Sequence, residues 1–257
     1  MAMRTVDRRR EFFAQEGYVV IREFFSREEI AHVRAAQDRF YQGEFDLEPT
    51  FSWPKPRITR ARSRKHPYAS FFLSPLAKML RDGRLAKLVG EVSQMAGVRF
   101  WHDQLLYEAP SRAGKKGAQW HSEKSRWLTC ETGLMATAWC PLVDFSLEMG
   151  PITMVSRSQN SGKIIVPADW EPEATAARRM ALAAGDVVIF PWTMIHGNPP
   201  NESDSARRAV AAHFCEKEIR YVKNGRFSHV NERLVRQVAG APDFFDERVC
   251  PLLIDHH

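Results

Sequence analysis

From about Val98 the sequence changes to short apolar runs separated by glycine and proline, and this change limits the fold more than any other feature. The runs are VRFWHDQLLYEAP, GLMATAWCPLVDF, GPITMV, KIIVP, GDVVIFP and RRAVAAHFCEKE. Several short strands at close spacing are typical of an all-β sandwich or a jelly roll. No internal repeat with a period of about 20–50 residues is present, which argues against a solenoid. We therefore predict a mainly β protein with flanking helices.

The residues before this β region predict helices that pack outside it. Ser26 and Glu29 have the spacing of a capping box, and apolar residues recur at helical spacing after them. Residues 75–94 predict one or two further helices, and residues 18–21, which read Tyr-Val-Val-Ile, predict a short strand. We expect these elements to cover the outside of the jelly roll.

Length and composition fit one domain of ordinary globular type. The chain has 257 residues, of which 44% are hydrophobic and 26% are charged, and this excludes collagen-like, disordered and disulfide-scaffold proteins. We expect a helical flank at residues 1–97, a jelly-roll core at 98–217 and a C-terminal extension at 218–257. Apolar stretches stay shorter than the roughly 18 residues of a membrane helix, and the charged start MAMRTVDRRR is unlike a signal peptide. The expected location is therefore the cytoplasm, without membrane association.

A run of basic residues stands out from the modest net charge of +6. Between Lys55 and Lys65, six of eleven residues are basic, and they fall in a proline-rich loop expected at residues 42–66. Such a cluster could bind phosphate or nucleic acid, or it could be a solvated loop that neutralises an anionic small molecule. The stretch lacks the interleaved aromatic residues of a base-stacking platform, so we favour the second interpretation.

Two histidines and a glutamate form a candidate metal site. His121 and Glu123 lie two residues apart in a segment that reads as a strand, so their side chains should point to the same face. His196 follows Glu123 by 73 residues and stands at the end of another predicted strand. If these strands are neighbours, the three side chains form the two-histidine, one-carboxylate arrangement of non-haem Fe(II) oxygenases. A His-x-Glu tripeptide alone is weak evidence, because it occurs by chance in many chains.

An arginine in the last predicted strand adds to this pattern. Arg207 follows His196 by eleven residues and lies at the start of the apolar segment AVAAHF. A guanidinium inside a barrel needs a carboxylate, and a dicarboxylate bound to the metal at its other end supplies one. Arg208 is the alternative, but strand parity favours Arg207, because Ala209 and Ala211 would leave it room. The order of His, carboxylate, His and Arg describes a 2-oxoglutarate site.

The chain resembles the phytanoyl-CoA dioxygenase family of Fe(II)- and 2-oxoglutarate-dependent oxygenases from Phe12 to about Phe214. The matching segments are FFAQEGYVVIREFFSREEI, QWHSE, MGPITMV and AAGDVVIFPWTMIHGNPPNESDSARRAV. The resemblance implies a double-stranded β-helix, which is a cupin-like jelly roll with flanking helices. It also implies that His121, Glu123 and His196 bind Fe(II).

The resemblance further implies residues that hold the cosubstrate and the substrate. Arg207 would bind the distal carboxylate of 2-oxoglutarate, with Asn198, Gln104 and Trp139 as further pocket residues. In the related ectoine hydroxylases, whose metal segment WHSEKSRW resembles, the position of Trp127 faces the substrate. Arg126 and Trp120 are adjacent alternatives, and simple core packing is an equally good interpretation of either tryptophan.

The activity implied by the resemblance is hydroxylation of an unactivated C–H bond of a small or medium metabolite by dioxygen, with an anionic substrate from secondary metabolism as the preferred class. One alternative, which the basic run motivates, is a 2-oxoglutarate-dependent demethylase of nucleic acid or protein side chains. Nucleic acid is the less favoured partner, because the run lacks interleaved aromatic residues. Another is a non-catalytic jelly-roll binding protein. The family commonly has Asp where Glu123 stands, and a carboxylate of either length argues against halogenation. The sequence leaves the formation of homo-oligomers open.

Overall fold

In the part of the chain that the structure describes, two antiparallel sheets and a two-stranded ribbon are flanked by four α-helices. The computed structural model describes residues 2–110, 118–125, 127, 130–131, 133–162, 166, 170–221 and 246–255. The helices are α1 (Ala2–Glu16), α2 (Arg27–Phe40), α3 (Ser74–Arg81) and α4 (Arg84–Ser93). The strands are β1 (Val19–Ile21), β2 (Ser63–Pro67), β3 (Gly97–Glu108), β4 (Ala118–His121), β5 (Cys130–Glu131), β6 (Met135–Pro141), β7 (Thr153–Val155), β8 (Ala177–Arg179), β9 (Val187–Pro191), β10 (His196–Asn198), β11 (Arg207–Glu216), β12 (Arg220–Tyr221) and β13 (Leu252–Asp255).

The predicted helices are confirmed, and α2 shows why the sequence folds this way. Its N-terminus has the capping box: the backbone N–H of Glu29 donates to the Ser26 hydroxyl at 3.2 Å, and the backbone N–H of Ser26 donates to the Glu29 carboxylate at 2.8 Å. Ile30, Val33 and Ala36 are all buried on one side of the helix. Capping and an apolar stripe therefore fix both the start of α2 and the face that it packs against the sheet.

The larger sheet has seven strands in the order β1-β9-β6-β11-β3-β13, and β2 also pairs with β3. The long strands β3 and β11 lie side by side, with Arg207 opposite Glu108 and Ala211 opposite Gln104. Because side chains alternate along a strand, these four residues point to the same face of the sheet. That face lines the interior of the jelly roll.

The smaller sheet has four strands in the order β4-β10-β7-β8, and β12 pairs with β5 in a separate ribbon. One cluster of buried side chains joins the two sheets, and it includes Trp139 and Val188 from the larger sheet and Met154 from the smaller. A second, larger cluster joins the helices to the opposite face of the larger sheet. The predicted jelly roll with helices outside it is confirmed.

One expected loop differs from the structure, and strands from outside residues 98–217 join the core sheet. The expected loop at residues 42–66 contains most of β2, because residues 63–67 pair along β3. The strands β1 and β2 from the N-terminal flank and β13 from the C-terminal extension join the same sheet as the core strands. Residues 163–165, 167–169 and 222–245 lie outside the described part of the chain, and with them most of KIIVP and of the C-terminal extension. Among the described residues, no helix is both long enough and apolar enough to cross a membrane.

Candidate metal centre

His121, Glu123 and His196 converge at one end of the smaller sheet. Nε2 of His121 and Nε2 of His196 each lie 3.6 Å from Oε1 of Glu123, and the two imidazole rings are 4.3 Å apart between centroids. One ligand atom from each residue lies within 4.8 Å of the other two. A single ion with ligands at about 2.0–2.2 Å fits between atoms at this spacing.

Strand pairing brings the two histidines together. His121 ends β4, His196 begins β10, and the two residues are direct partners in the antiparallel register. We predicted that His196 stands at the end of a strand, whereas it begins β10, and the preceding segment GDVVIFP forms a separate strand. That strand, β9, ends at Pro191 and belongs to the larger sheet, whereas β10 belongs to the smaller one. A change of sheet over residues 192–195 therefore places His196 opposite His121.

Glu123 reaches the site from a turn. The expectation that His121 and Glu123 share a strand was wrong, because β4 ends at His121 and Glu123 opens a 3-10 turn over Glu123–Ser125. The backbone N–H of Trp127 donates to the carbonyl of Glu123 at 3.2 Å, and that of Ser125 donates to the carbonyl of Ser122 at 3.3 Å. The turn directs the carboxylate back between the two imidazoles, so the three ligands still meet.

The surroundings of Glu123 keep its carboxyl ionised. Its exposed fraction is 5%, and burial alone would raise its pKa, but the facing imidazoles of His121 and His196 outweigh burial and hold the pKa well below its usual range. Nδ1 of His196 lies 3.1 Å from the carbonyl oxygen of Met194, which accepts its proton and leaves Nε2 for a metal. An ionised carboxylate and two imidazoles form the donor set of a non-haem iron site.

The triad lies in a cavity of about 200 Å³. Four residues named from the sequence as cosubstrate contacts line the same cavity: Gln104, Trp139, Asn198 and Arg207. The structure therefore brings the three metal ligands and the four predicted cosubstrate residues into one space. Thr137 also lines this cavity, and its hydroxyl lies 2.9 Å from Nδ1 of His213. His213 is fully buried, which fits a hydrogen-bonded core histidine.

Arg207 lies in the cavity wall at the start of β11, a central strand of the larger sheet. Its Nη1 donates to the backbone carbonyl of Met149 at 3.1 Å, to that of Pro199 at 3.0 Å and to that of Gly150, and its Nη2 donates to the carboxylate of Glu108. Burial lowers the pKa of the Arg207 guanidinium, and the charge of Glu108 opposes that effect. Arg208 points to the other face, where it pairs with Asp38 at 2.7 Å.

Of the three residues that the resemblance offered for substrate binding, the two that the structure describes, Trp127 and Trp120, do not line the cavity that holds the triad. Trp127 is 7% exposed and packs edge-on against His213 at 4.6 Å between ring centroids. It belongs to the core and does not line the cavity that holds the triad, so its contact with substrate stays a prediction. Trp120 donates from Nε1 to Glu171 at 2.9 Å. Arg126 lies outside the described residues.

Sequence reasoning missed Glu108 and gave Lys65 no specific position, yet both line the cavity. A signal for Glu108 was present in the sequence. It follows Gln104 by four residues on the same strand and so has the same inward parity. The carboxylate that a guanidinium inside a barrel requires is thus already supplied by the chain.

Three solved structures with similar architecture represent the fold. The carbocyclase SnoK from nogalamycin biosynthesis has a TM-score of 0.74 at 19% identity, over 96% of this chain and 96% of that chain. The epimerase SnoN, in complex with Fe³⁺, α-ketoglutarate and nogalamycin RO, has a TM-score of 0.75 at 18% identity, over 98% and 100%. EctD from S. alaskensis, with 2-oxoglutarate and 5-hydroxyectoine, has a TM-score of 0.64 at 18% identity, over 85% and 80%. At these identities the similarities establish the fold.

The family follows from the sequence itself. No curated protein sequence matches the chain significantly. The family model for phytanoyl-CoA dioxygenase matches residues 13–209, a segment that contains all three ligands of the triad and Arg207. The chain therefore belongs to the phytanoyl-CoA dioxygenase family of iron- and 2-oxoglutarate-dependent oxygenases.

Proposed function

We propose that the protein hydroxylates an unactivated C–H bond of a small or medium metabolite that carries an anionic group. The observation that carries this proposal is the position of the triad: His121, Glu123 and His196 lie in a cavity that adjoins a second, larger cavity with basic and aromatic walls. The first cavity has room for a metal and a small cosubstrate, and the second has room for a metabolite.

The residues of the first cavity fall into two groups, one that would bind Fe(II) and one that would bind 2-oxoglutarate. His121, Glu123 and His196 would hold Fe(II) on one face and leave the opposite positions open. Arg207 would bind the distal carboxylate of 2-oxoglutarate, and Gln104 and Asn198 offer hydrogen bonds along its length. When bound, iron and 2-oxoglutarate supply the activation of dioxygen that oxidises a C–H bond. The protein fixes the ligands, excludes water and orients the substrate.

The second cavity supports the proposed substrate class. It has a volume of about 520 Å³ and shares Ser63, Arg64 and Lys65 with the metal cavity. Its cationic side includes Arg57, while Trp53 and Tyr68 form an aromatic wall with ring centroids 4.7 Å apart. The full lining is Trp53, Pro54, Pro56, Arg57, Thr59, Ser63, Arg64, Lys65, His66, Pro67 and Tyr68. A cavity with cations on one side and flat apolar groups on the other fits an anionic metabolite with an apolar body.

Contacts that the basic run makes within the protein argue against a nucleic-acid substrate. Lys55 pairs with Glu48 at 3.2 Å, and Arg62 donates to the carbonyl of Pro110. Arg64 lies over the rings of Tyr41 and Tyr107, 4.0 Å from each centroid. At least half of the basic run from Lys55 to Lys65 is thus engaged within the protein, whereas an extended phosphate-binding surface presents its cations to solvent.

The test is product analysis with matched substrates. The purified protein would be supplied with Fe(II), 2-oxoglutarate and pairs of small metabolites that differ only in carrying a carboxylate or its neutral amide. We expect the acid of an accepted pair to stimulate succinate formation and to gain one oxygen atom, as measured by mass spectrometry, with the amide much less active. The His121→Ala variant is the control for reaction outside the site.

Other outcomes of this experiment would contradict the proposal. Loss of two hydrogen atoms, ring closure or inversion without a gain of oxygen would replace hydroxylation with another oxidative outcome, and the similar folds of SnoK and SnoN make these products worth measuring. Equal activity on the acid and its amide would contradict the proposal that the substrate is recognised by an anionic group. If the iron-loaded protein forms no succinate with any of the metabolites supplied, the alternative of a non-catalytic binding protein is favoured.

A further inference from the structure

The ion pair between Arg207 and Glu108 occupies the place where the cosubstrate is proposed to bind. We propose that Glu108 is an internal counterion of Arg207 that the distal carboxylate of 2-oxoglutarate displaces, so that Glu108 sets the affinity and the selectivity for the cosubstrate. This inference rests on the proposed binding of 2-oxoglutarate at Arg207. It concerns a residue whose position follows from the register of β3 and β11, where Arg207 and Glu108 are direct partners.

The hydrogen bonds of Arg207 leave one side of its guanidinium for an anion. Nη1 is held by the carbonyl oxygens of Met149, Gly150 and Pro199, which lie in the cavity wall. Nη2 donates to Oε2 of Glu108. A carboxylate that approaches the guanidinium through Nη2 therefore meets a position that Glu108 already fills. Two carboxylates at one guanidinium would also repel each other.

The two partners differ in how easily they can move. The side chain of Arg207 is 10% exposed and is tied to three backbone carbonyls, whereas the side chain of Glu108 is 27% exposed and ends β3. Glu108 is therefore the partner that can leave. Lys65 lies on the neighbouring strand β2, two residues from Ser63, which is the direct partner of Glu108. Lys65 therefore lies diagonally across from Glu108 on the same face of the sheet, which gives Glu108 a cationic neighbour besides Arg207.

When the distal carboxylate of the cosubstrate binds, it replaces the ion pair between Glu108 and Arg207 with a new ion pair to Arg207. Binding of 2-oxoglutarate gains a contact with Arg207 and loses the contact with Glu108, so the affinity is lower than the new contact alone would give. A 2-oxo acid without a second carboxylate, such as 2-oxobutyrate, leaves the Arg207–Glu108 pair in place. Its affinity should not depend on Glu108.

The experiment measures binding and needs no turnover. Protein loaded with Ni(II), which supports no oxidation here, would be titrated calorimetrically with 2-oxoglutarate and with 2-oxobutyrate, for the parent chain and for Glu108→Gln. We expect the variant to bind 2-oxoglutarate about tenfold more tightly or better, because a charge-assisted hydrogen bond no longer competes. The affinity for 2-oxobutyrate should stay within about twofold, since that ligand does not reach Arg207. Glu148→Gln, at an exposed position beside Met149, is the matched control and should bind both ligands like the parent.

The results separate this inference from the proposed function. Equal 2-oxoglutarate affinity in parent and variant, or equal tightening for both ligands, would overturn the role of Glu108 while leaving the cosubstrate site intact. Failure of the metal-loaded parent to bind either 2-oxo acid would overturn the proposed function and this inference with it. If Glu108→Gln does not fold, Glu108→Asp serves instead. Its shorter carboxylate weakens the pair, so 2-oxoglutarate should bind more tightly than to the parent, and unchanged binding would count against the proposal.

Discussion

His121 and His196 are direct partners across two antiparallel strands, although they lie 75 positions apart along the chain. The pairing places their rings 4.3 Å apart, with the carboxylate of Glu123 at 3.6 Å from each Nε2. Because a sheet holds the two imidazoles, their separation is fixed before any metal binds. Such rigid support favours a single ion geometry over a loose cluster of donors.

Replacement of one histidine should remove the metal without unfolding the protein. We expect His196→Ala to lower the affinity for Fe(II) by more than the roughly 10–100-fold that loss of a residue supporting a ligand costs. Equilibrium dialysis against Fe(II) under argon measures this affinity, and circular dichroism checks the fold. The control is His32→Ala on the exposed face of α2, which should bind iron like the parent. Iron retained at full affinity by His196→Ala would remove this residue from the site.

The length of the Glu123 side chain should matter. In this chain the carboxylate reaches the histidines from a 3-10 turn, and not from the strand that carries His121. Glu123→Asp withdraws the oxygen by about the length of one C–C bond, whereas metal–ligand distances tolerate only about 0.2 Å. We therefore expect Fe(II) affinity to fall by about tenfold or more, even though Asp is the usual residue of the family. An aspartate variant that binds iron as tightly as the parent would show that the turn adjusts freely.

Arg207 and Arg208 offer a comparison of neighbours on opposite faces of one strand. Arg207→Lys removes the planar fork that contacts three carbonyls and Glu108, so we expect the KM for 2-oxoglutarate to rise by about tenfold or more and the melting temperature to fall. Arg208→Lys changes a pair with Asp38 and a contact with the Tyr107 ring on the outer face, away from the cavity, and should alter neither quantity appreciably. Equal effects of the two substitutions would contradict the placement of the cosubstrate.

Sequence patterns predicted those parts of the fold that depend on local chemistry. The capping box at Ser26 fixes α2, and short apolar runs indicate β9 and β11, because each pattern acts within one element. The candidate metal ligands could be proposed from the sequence for a related reason, since few residue types bind iron and their order along the chain is distinctive. These features need no knowledge of which strands become neighbours.

The parts of the fold and of the site that the sequence did not predict depend on pairing between distant strands. The strand β10 has three residues, and its neighbours β4 and β7 decide where it begins. The contact between Arg207 and Glu108 joins positions 99 residues apart and exists because β3 and β11 adopt one register out of several. A single sequence contains no local signal for such a register. Sequence reasoning therefore supplied a carboxylate for Arg207 from the cosubstrate and overlooked the one in the neighbouring strand.

The basic run should contribute to substrate binding through the residues that line the second cavity. Arg57 and Lys65 line it, whereas Arg60 does not and Arg62 is bonded to the carbonyl of Pro110. For an acidic substrate we expect Arg57→Gln and Lys65→Gln each to raise KM by several-fold to about tenfold, with a smaller effect for the neutral amide of the same compound. Arg60→Gln is the matched control and should leave both KM values near those of the parent. A rise in KM of the same size for the acid and the amide would mean that these cations do not meet the anionic group.

Asp103 should make stability depend on pH in the opposite sense to most carboxylates. It lies fully buried in β3, where the Ser70 hydroxyl donates to it at 2.6 Å, and burial raises its pKa from 3.8 to about 6. The folded protein therefore holds this proton more tightly than the unfolded chain. The resulting contribution to stability is fully present below about pH 4 and is lost as the pH rises through about 6.

The matched comparison for Asp103 is Asp103→Asn, which keeps the size of the side chain but cannot ionise. Since one pKa unit corresponds to roughly 1.4 kcal/mol, the free energy of unfolding of the variant relative to the parent should rise by on the order of 2–3 kcal/mol between pH 4 and pH 7. Urea denaturation at each pH measures this difference, and subtraction cancels the other titrating groups that the two chains share. A difference that stays constant over this range would mean that the buried carboxyl ionises as readily in the folded protein as in the unfolded chain. In that case the hydrogen bonds from Ser70, together with the nearby charge of Arg81, would offset the cost of burial.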